Sequence, residues 1–81
     1  MSVSVQLFAR ARDLVGAAVL TVEMPLNATV GDLRRELGAE HPQLKSLLER
    51  SALAINDEFV DDPLVIPLNA RIAILPPVSG G

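Results

Sequence analysis

The last six residues of the sequence, Pro76-Pro77-Val78-Ser79-Gly80-Gly81, hold its most suggestive chemistry. Pro76 and Pro77 bias the backbone to an extended polyproline form and give up two ladder N–H groups. Gly80 and Gly81 have no side chains, so they can thread a narrow channel and take any backbone angle inside it. From Pro76 to Gly81 the segment reaches about 20 Å, at roughly 3.3 Å per residue. A stiff stem with a slim tip presents an unhindered terminal carboxylate that can enter a narrow channel. A tail with no role is the alternative, but it leaves this order of stiff then slim residues unexplained.

Other reactive residues are few. The chain has no cysteine, which removes disulfides, thiolate metal sites and a cysteine nucleophile. His41 is the only histidine; it precedes Pro42, and a helix-end role suits it better than catalysis. Asp57, Glu58, Asp61 and Asp62 lack calcium-loop spacing and its glycine, so they read as charged turns flanking an edge strand. Gly16, Gly31 and Gly38 are isolated and build no phosphate-cradling loop.

The bulk composition narrows the classes further. At 81 residues the chain is one small domain, and its 49% hydrophobic content is ample for a core. Only two residues are aromatic, both phenylalanine, so Leu, Val, Ile and Ala must build that core. A net charge of −3, with no basic cluster, argues against nucleic acid as a partner. No apolar run approaches the roughly 20 residues that span a bilayer, so no membrane partner is expected. The start, "MSVSVQLF", lacks the features of a signal peptide, so a cytoplasmic location is expected.

Elements that could position the tail follow from periodicity. Val3, Val5, Leu7, Ala9 and Ala11 alternate with Ser4, Gln6, Phe8 and Arg10, which predicts a half-buried strand from Val3 to Ala11. Arg10 and Arg12 then lie on one strand face, solvated or able to dock an acidic partner. Gly16 sits in a connection, and Leu20, Val22 and Met24 mark a second strand, pairing with the first as a hairpin that Pro25 ends. The stretch "NATVGDLRRELGAEHP" predicts a helix with Thr29 as N-cap, Asp32 completing a capping box, and Val30, Leu33 and Leu37 on one face. Arg34, Arg35, Glu36 and Glu40 fall on its solvent side, and Pro42 stops it and opens a short helix carrying Leu44, Leu47 and Leu48. Short strands follow at Ala52 to Ile55, Glu58 to Val60 and Arg71 to Leu75, with a turn at Asn56-Asp57. The order is α+β, a sheet with one main helix across one face.

Strand parity leaves three large apolar residues on the wrong side. With Val3, Val5 and Leu7 facing the helix, Phe8 points outward. Ile72 and Ile74 form the inner pair, so Leu75 lies outside with Arg71 and Ala73. Phe59 and Val60 are adjacent, and only one can point inward. Phe8, Phe59 and Leu75 are therefore candidates for a protein-docking patch.

Element order and a terminal Gly-Gly resemble the ubiquitin-like β-grasp proteins. "LFARARDLVG" near the start, "NDEFV" later and "PPVSGG" at the end resemble the small, sulfur-carrying subunits of molybdopterin synthases, and the likeness runs the whole length. It implies a mixed sheet with one main helix packed across it, a domain over residues 1–75 and a flexible tail over residues 76–81. It also implies that an E1-like adenylyltransferase, using ATP, activates the Gly81 carboxylate. A sulfur donor protein then converts it to a thiocarboxylate. The large synthase subunit, in a heterotetramer of two small and two large subunits, takes the tail and passes sulfur to cyclic pyranopterin monophosphate, forming the dithiolene. The chain is then no catalyst by itself and binds no cofactor or metal. Phe8, Phe59, Leu75, Pro76, Pro77, Val78 and Ser79 match the partner-binding surface, with Arg12 beside them, and Gly80 and Gly81 carry the reaction. Asn56-Asp57 departs from the wider superfamily, which often has a glycine in that turn. A carrier for thiamine or another sulfur product, a ubiquitin-like modifier and an interaction domain with an incidental tail are the alternatives.

Overall fold

A computed structural model describes residues 1–76. Its elements in chain order are β1 (Ser2–Leu7), α1 (Ala9–Val15), β2 (Val19–Glu23), α2 (Val30–Glu40), a single 3-10 turn (Pro42–Leu44), α3 (Lys45–Arg50), β3 (Ala52–Ile55), β4 (Glu58–Val60) and β5 (Arg71–Leu75). The strands form one sheet in the order β2-β1-β5-β3-β4. β1 and β5 pair in parallel at its centre, with Val5 opposite Ile72 and Leu7 opposite Ile74. The other three pairings are antiparallel, so the sheet is mixed.

One face of this sheet is the core. Val3, Val5, Leu7, Val22, Leu53, Ile55, Ile72 and Ile74 are buried against Val30, Leu33 and Leu37 of α2 and Leu44, Leu47 and Leu48 beyond it. Period-two burial on the strands meets the apolar stripe of an amphipathic helix, as the patterning predicts.

The first strand is shorter than its alternation suggests. β1 ends at Leu7, and Ala9 to Val15 are helical. Ala9 takes φ 48, a left-handed value that bends the chain sharply out of the strand. Arg10 and Arg12 thus sit exposed on α1 and not on a strand face. β1 and β2 are antiparallel neighbours, but a helix joins them in place of a tight turn. The misleading residues are Ala9 and Ala11, which continue the apolar parity yet are strong helix formers. Gly16, at φ 81, ends the helix in the left-handed cap position, and its N–H donates to the Arg12 carbonyl at 2.7 Å.

The start of α2 is fully partnered. The Val30 N–H donates to the Leu64 carbonyl and the Gly31 N–H to the Asp62 carbonyl, each at 2.9 Å. The Asp32 N–H donates to Thr29 Oγ1 at 3.1 Å, and the Thr29 N–H returns a bond to the Asp32 carboxylate at 2.9 Å. These bonds satisfy the N–H groups a helix start leaves orphaned. The approach is close at Gly31, where a Cβ would lie 3.3 Å from the Asp62 Cβ and the loop would have to give by a few tenths of an ångström. Residues 61–70 are thereby pinned to the helix before β5 begins.

Arg34 does not face open solvent as its helical position suggests. Its guanidinium is half-buried and donates to the carbonyls of Leu48 and of Ser51, the latter at 2.8 Å. It also pairs with Asp62 at 3.0 Å. One side chain therefore ties α2 to the end of α3, to the loop before β5 and to the point where β3 starts.

Candidate functional site

Residues of opposite parity form the outer face. The register places Val19, Gln6, Ala73, Ala54 and Phe59 in one row across all five strands. One level nearer the C-terminal end of β5, Ala52 lies opposite Leu75. One level the other way are Thr21, Ser4 and Arg71. The face is thus divided along the strands: polar at the Arg71 end and apolar at the Leu75 end.

Phe59 and Val60 are resolved by pairing. Val60 lies opposite the buried Leu53 and packs on the core, while Phe59 lies opposite Ala54 and is 74% exposed. Leu75 is half-buried on the outer side, as its alternation with Ile74 requires. Phe8 is just past β1, but its backbone is still extended, with φ −129 and ψ 158. It therefore keeps the outward parity of Ser4 and Gln6 and is 38% exposed. Parity thus puts Phe8, Phe59 and Leu75 on the outer side of one sheet, Phe8 and Leu75 at the ends of the central parallel pair and Phe59 on the edge strand.

The structure adds apolar residues that the parity argument left out. Val19 is exposed on β2 at the level of Gln6, and Ala52 and Ala54 line β3. Ala54 is buried although it lies on the outer face, between Phe59 and Ala73. The grouping of Leu20, Val22 and Met24 carries the signal for Val19, since its parity is opposite to theirs. The small residues Ala52, Ala54 and Ala73 make this part of the face low, with Phe59 standing above it.

Pro76 is exposed and directly follows Leu75. The expectations for Pro77, Val78, Ser79, Gly80 and Gly81 lie outside the described residues. The tail stem thus leaves the fold from the central strand, at the apolar end of the outer face. Arg12 is exposed on α1, which follows Phe8 directly.

Shifted titrations lie elsewhere. The Thr29 backbone and side chain, with Arg35 beside them, hold the Asp32 carboxyl below the ordinary range. A bond to Glu40 raises the Glu36 carboxyl. Both belong to α2, on the far side of the sheet. A groove of about 380 Å³ between α2 and α3, walled by Gly38, Ala39 and Leu48 with Arg35 and Lys45, is also on that side. Among the described residues no set of His, Asp and Glu gathers into a metal-sized cluster, and no helix is long and apolar enough to cross a membrane.

Comparison with known proteins agrees with this geometry. The model of the ThiS family matches residues 5–81. The molybdopterin synthase sulfur carrier subunit of Arabidopsis thaliana is 37% identical over 81 residues, covering 100% of this chain and 84% of that one. Among solved structures, SAMP1 (small archaeal modifier protein 1) from Haloferax volcanii superposes with a TM-score of 0.86 at 29% identity, over 100% of both chains. A chain from the protein–protein complex of subunits 1 and 2 of the molybdopterin-converting factor of Helicobacter pylori gives 0.71, also at 29% identity and over 100% of both chains. The fold is ubiquitin-like, and the chain belongs to the ThiS family, in its branch of molybdopterin synthase sulfur carrier subunits.

Proposed function

We propose that the chain delivers sulfur on its Gly81 carboxylate to molybdopterin synthesis, as the small subunit of a two-subunit synthase. The observation that supports this best is the convergence of the apolar outer face on the strand end from which Pro76 departs. A partner covering Phe59, Leu75 and Phe8 receives the tail at the same time.

The chemistry takes place in the partners. An E1-like enzyme uses ATP: the Gly81 carboxylate attacks the α-phosphate and pyrophosphate leaves, giving an acyl adenylate. The terminal sulfur of a donor persulfide attacks the activated carbonyl, and AMP leaves. A thiol then cleaves the acyl disulfide, releasing the Gly81 thiocarboxylate. The tail enters the large subunit, where sulfur passes to cyclic pyranopterin monophosphate and water returns the carbonyl to a carboxylate. The absence of cysteine suits this role, since no thiol of the carrier can attack its own activated terminus. The chain supplies reach, docking and the acyl group. ATP is consumed by the activating enzyme, and this chain itself holds no cofactor.

The test is the mass of the C-terminal peptide after coexpression with the activating enzyme and sulfur donor. One oxygen-to-sulfur exchange at Gly81 is expected. An unmodified tail, with full synthase activity when Gly81 is deleted, would overturn the proposal. The likeness to SAMP1 favours a second reading, in which Gly81 is joined to lysines of other proteins. Isopeptide adducts in the same experiment would identify that outcome.

A further inference from the structure

The polar end of the outer face carries one charge on the central strand, Arg71. Its side chain is exposed and, among the described residues, joins no ion pair. The Arg71 backbone is held firmly: its N–H donates to Asn56 Oδ1 at 3.2 Å, and the Asn56 N–H donates to its carbonyl at 3.0 Å. Those bonds fix where the residue sits and leave the guanidinium free. Beside it is a cleft of about 90 Å³ lined by Gln6, Asn56, Asp57, Arg71, Ile72 and Ala73. Ala73 belongs both to this cleft and to the apolar row with Phe59, so the two surfaces are continuous.

Dimensions bring Arg71 within a partner footprint centred on the Ala73 row. A stable interface covers about 800 Å² on each side, a patch roughly 30 Å across. Arg71 is two residues from Ala73 along β5, about 7 Å at the strand rise. A partner footprint of that size centred near Ala73, between Phe59 and the central strands, reaches Arg71 as well. A guanidinium taken out of water needs an acceptor, since leaving it unpaired is strongly unfavourable. Asp57 lines the same cleft but forms no ion pair with it, so among the described residues none supplies one.

We propose that Arg71 receives a carboxylate side chain from the large subunit, and that this pair sets the rotational register of docking. The guanidinium offers a planar fork suited to a carboxylate, and the Gln6 and Asn56 amides can add N–H donors at the cleft wall. Asp57 repels a carboxylate that enters from its own side, which narrows the approach to the Arg71 side. The apolar end of the face then supplies contact area, and the charged end supplies orientation. Fixing the rotation fixes the direction in which Pro76 leads the tail. This rests on the reading that the outer face docks the large subunit.

The experiment measures binding of the full chain to the large subunit by calorimetry at low and high salt. Arg71→Glu should weaken binding by about 30-fold or more, with an unchanged melting temperature. Arg71→Lys should fall between wild type and Arg71→Ala, and Arg71→Ala should lose most of the salt dependence. Reversing the partner's carboxylate to lysine should rescue Arg71→Glu. Wild-type or tighter binding by Arg71→Glu, while Phe59→Asp abolishes binding, would overturn the role of Arg71 and keep the docking face. No loss from either variant would overturn the docking face itself.

Discussion

The two faces of the sheet are made by the same five strands and the same alternation, yet only one of them is needed to fold. The inner face is apolar along its whole length, from Val3 to Leu7 and from Ile72 to Ile74, because α2 and α3 cover all of it. On the outer face Ser4, Thr21 and Arg71 occupy one end, and apolar residues gather only at the other, around Leu75 and Phe59. A solvated sheet face has no structural requirement for Phe59, which pairs with Ala54 and is mostly exposed. Where apolar surface is retained without a packing partner, a binding role is the economical explanation. The difference between the faces therefore separates residues that folding requires from residues that folding leaves exposed, which the proposed function assigns to docking.

Removing an inner residue should break that comparison most severely. Leu53 is fully buried and sits beside Ile74 in the register. Leu53→Ala should cost about 2–5 kcal/mol, through lost apolar burial and the cavity left behind. A domain of this size has only about 4–12 kcal/mol of stability in total, so the change removes a large fraction of it and the denaturation midpoint should fall markedly. Urea denaturation measures it. A cost below 1 kcal/mol would mean that the inner face is not the main source of stability.

The outer-face counterpart should behave in the opposite way. Phe59→Asp should leave stability within about 0.5 kcal/mol, because the side chain is exposed, while costing about 2 kcal/mol or more in binding to the large subunit. Thermal melts and a binding titration on the same preparation would separate the two quantities. A melting point that falls as far as that of Leu53→Ala would erase the distinction between the faces.

Arg34 tests how the inner face is kept covered. Its guanidinium joins the Leu48 and Ser51 carbonyls to Asp62, so Arg34→Ala removes donors from the α3 terminus and loosens the loop before β5. Hydrogen bonds from a charged donor to such carbonyls are worth about 1.5–3 kcal/mol, and the exposed half of the Asp62 pair adds little. Hydrogen exchange should show lost protection at Ser51 and at the start of β3, where the stem of the tail is anchored through Ala52 and Leu75.

How far these features could be seen in the sequence depended on how local their causes are. The capping box of α2, the Pro42 stop, and the placement of Phe59 and Leu75 follow from spacings of two to four residues, and the structure has them as expected. The helix α1 did not follow from alternation, because Ala9 and Ala11 fit both a strand parity and a helix. The residue that decides between them is Gly16, a cap residue after a run of good helix formers. The half-buried setting of Arg34 is hidden from the sequence for another reason. Its partners are 14, 17 and 28 residues away, and no local pattern encodes them. The parallel β1–β5 pairing is equally non-local, and it is what brings Phe8 to the level of Leu75.

The smallest expected effect concerns the helix start that orients the inner face. Thr29→Ala removes the side-chain acceptor for the Asp32 N–H and should cost about 1 kcal/mol. Asp32 contributes a pH dependence as well. Its carboxylate accepts the Thr29 N–H and faces Arg35, so its folded-state pKa is lowered below the unfolded value. A lowered acid stabilises the fold at every pH above the unfolded value, and that contribution is lost as pH falls through the folded one. The loss should therefore fall below about pH 4, and Asp32→Asn should flatten the stability curve there while changing little in the slope near neutrality. Denaturation midpoints measured from pH 2 to 7 decide it. A slope that survives in Asp32→Asn would show that the acid sensitivity does not come from the capping box, and that the start of α2 holds the inner face equally well across this pH range.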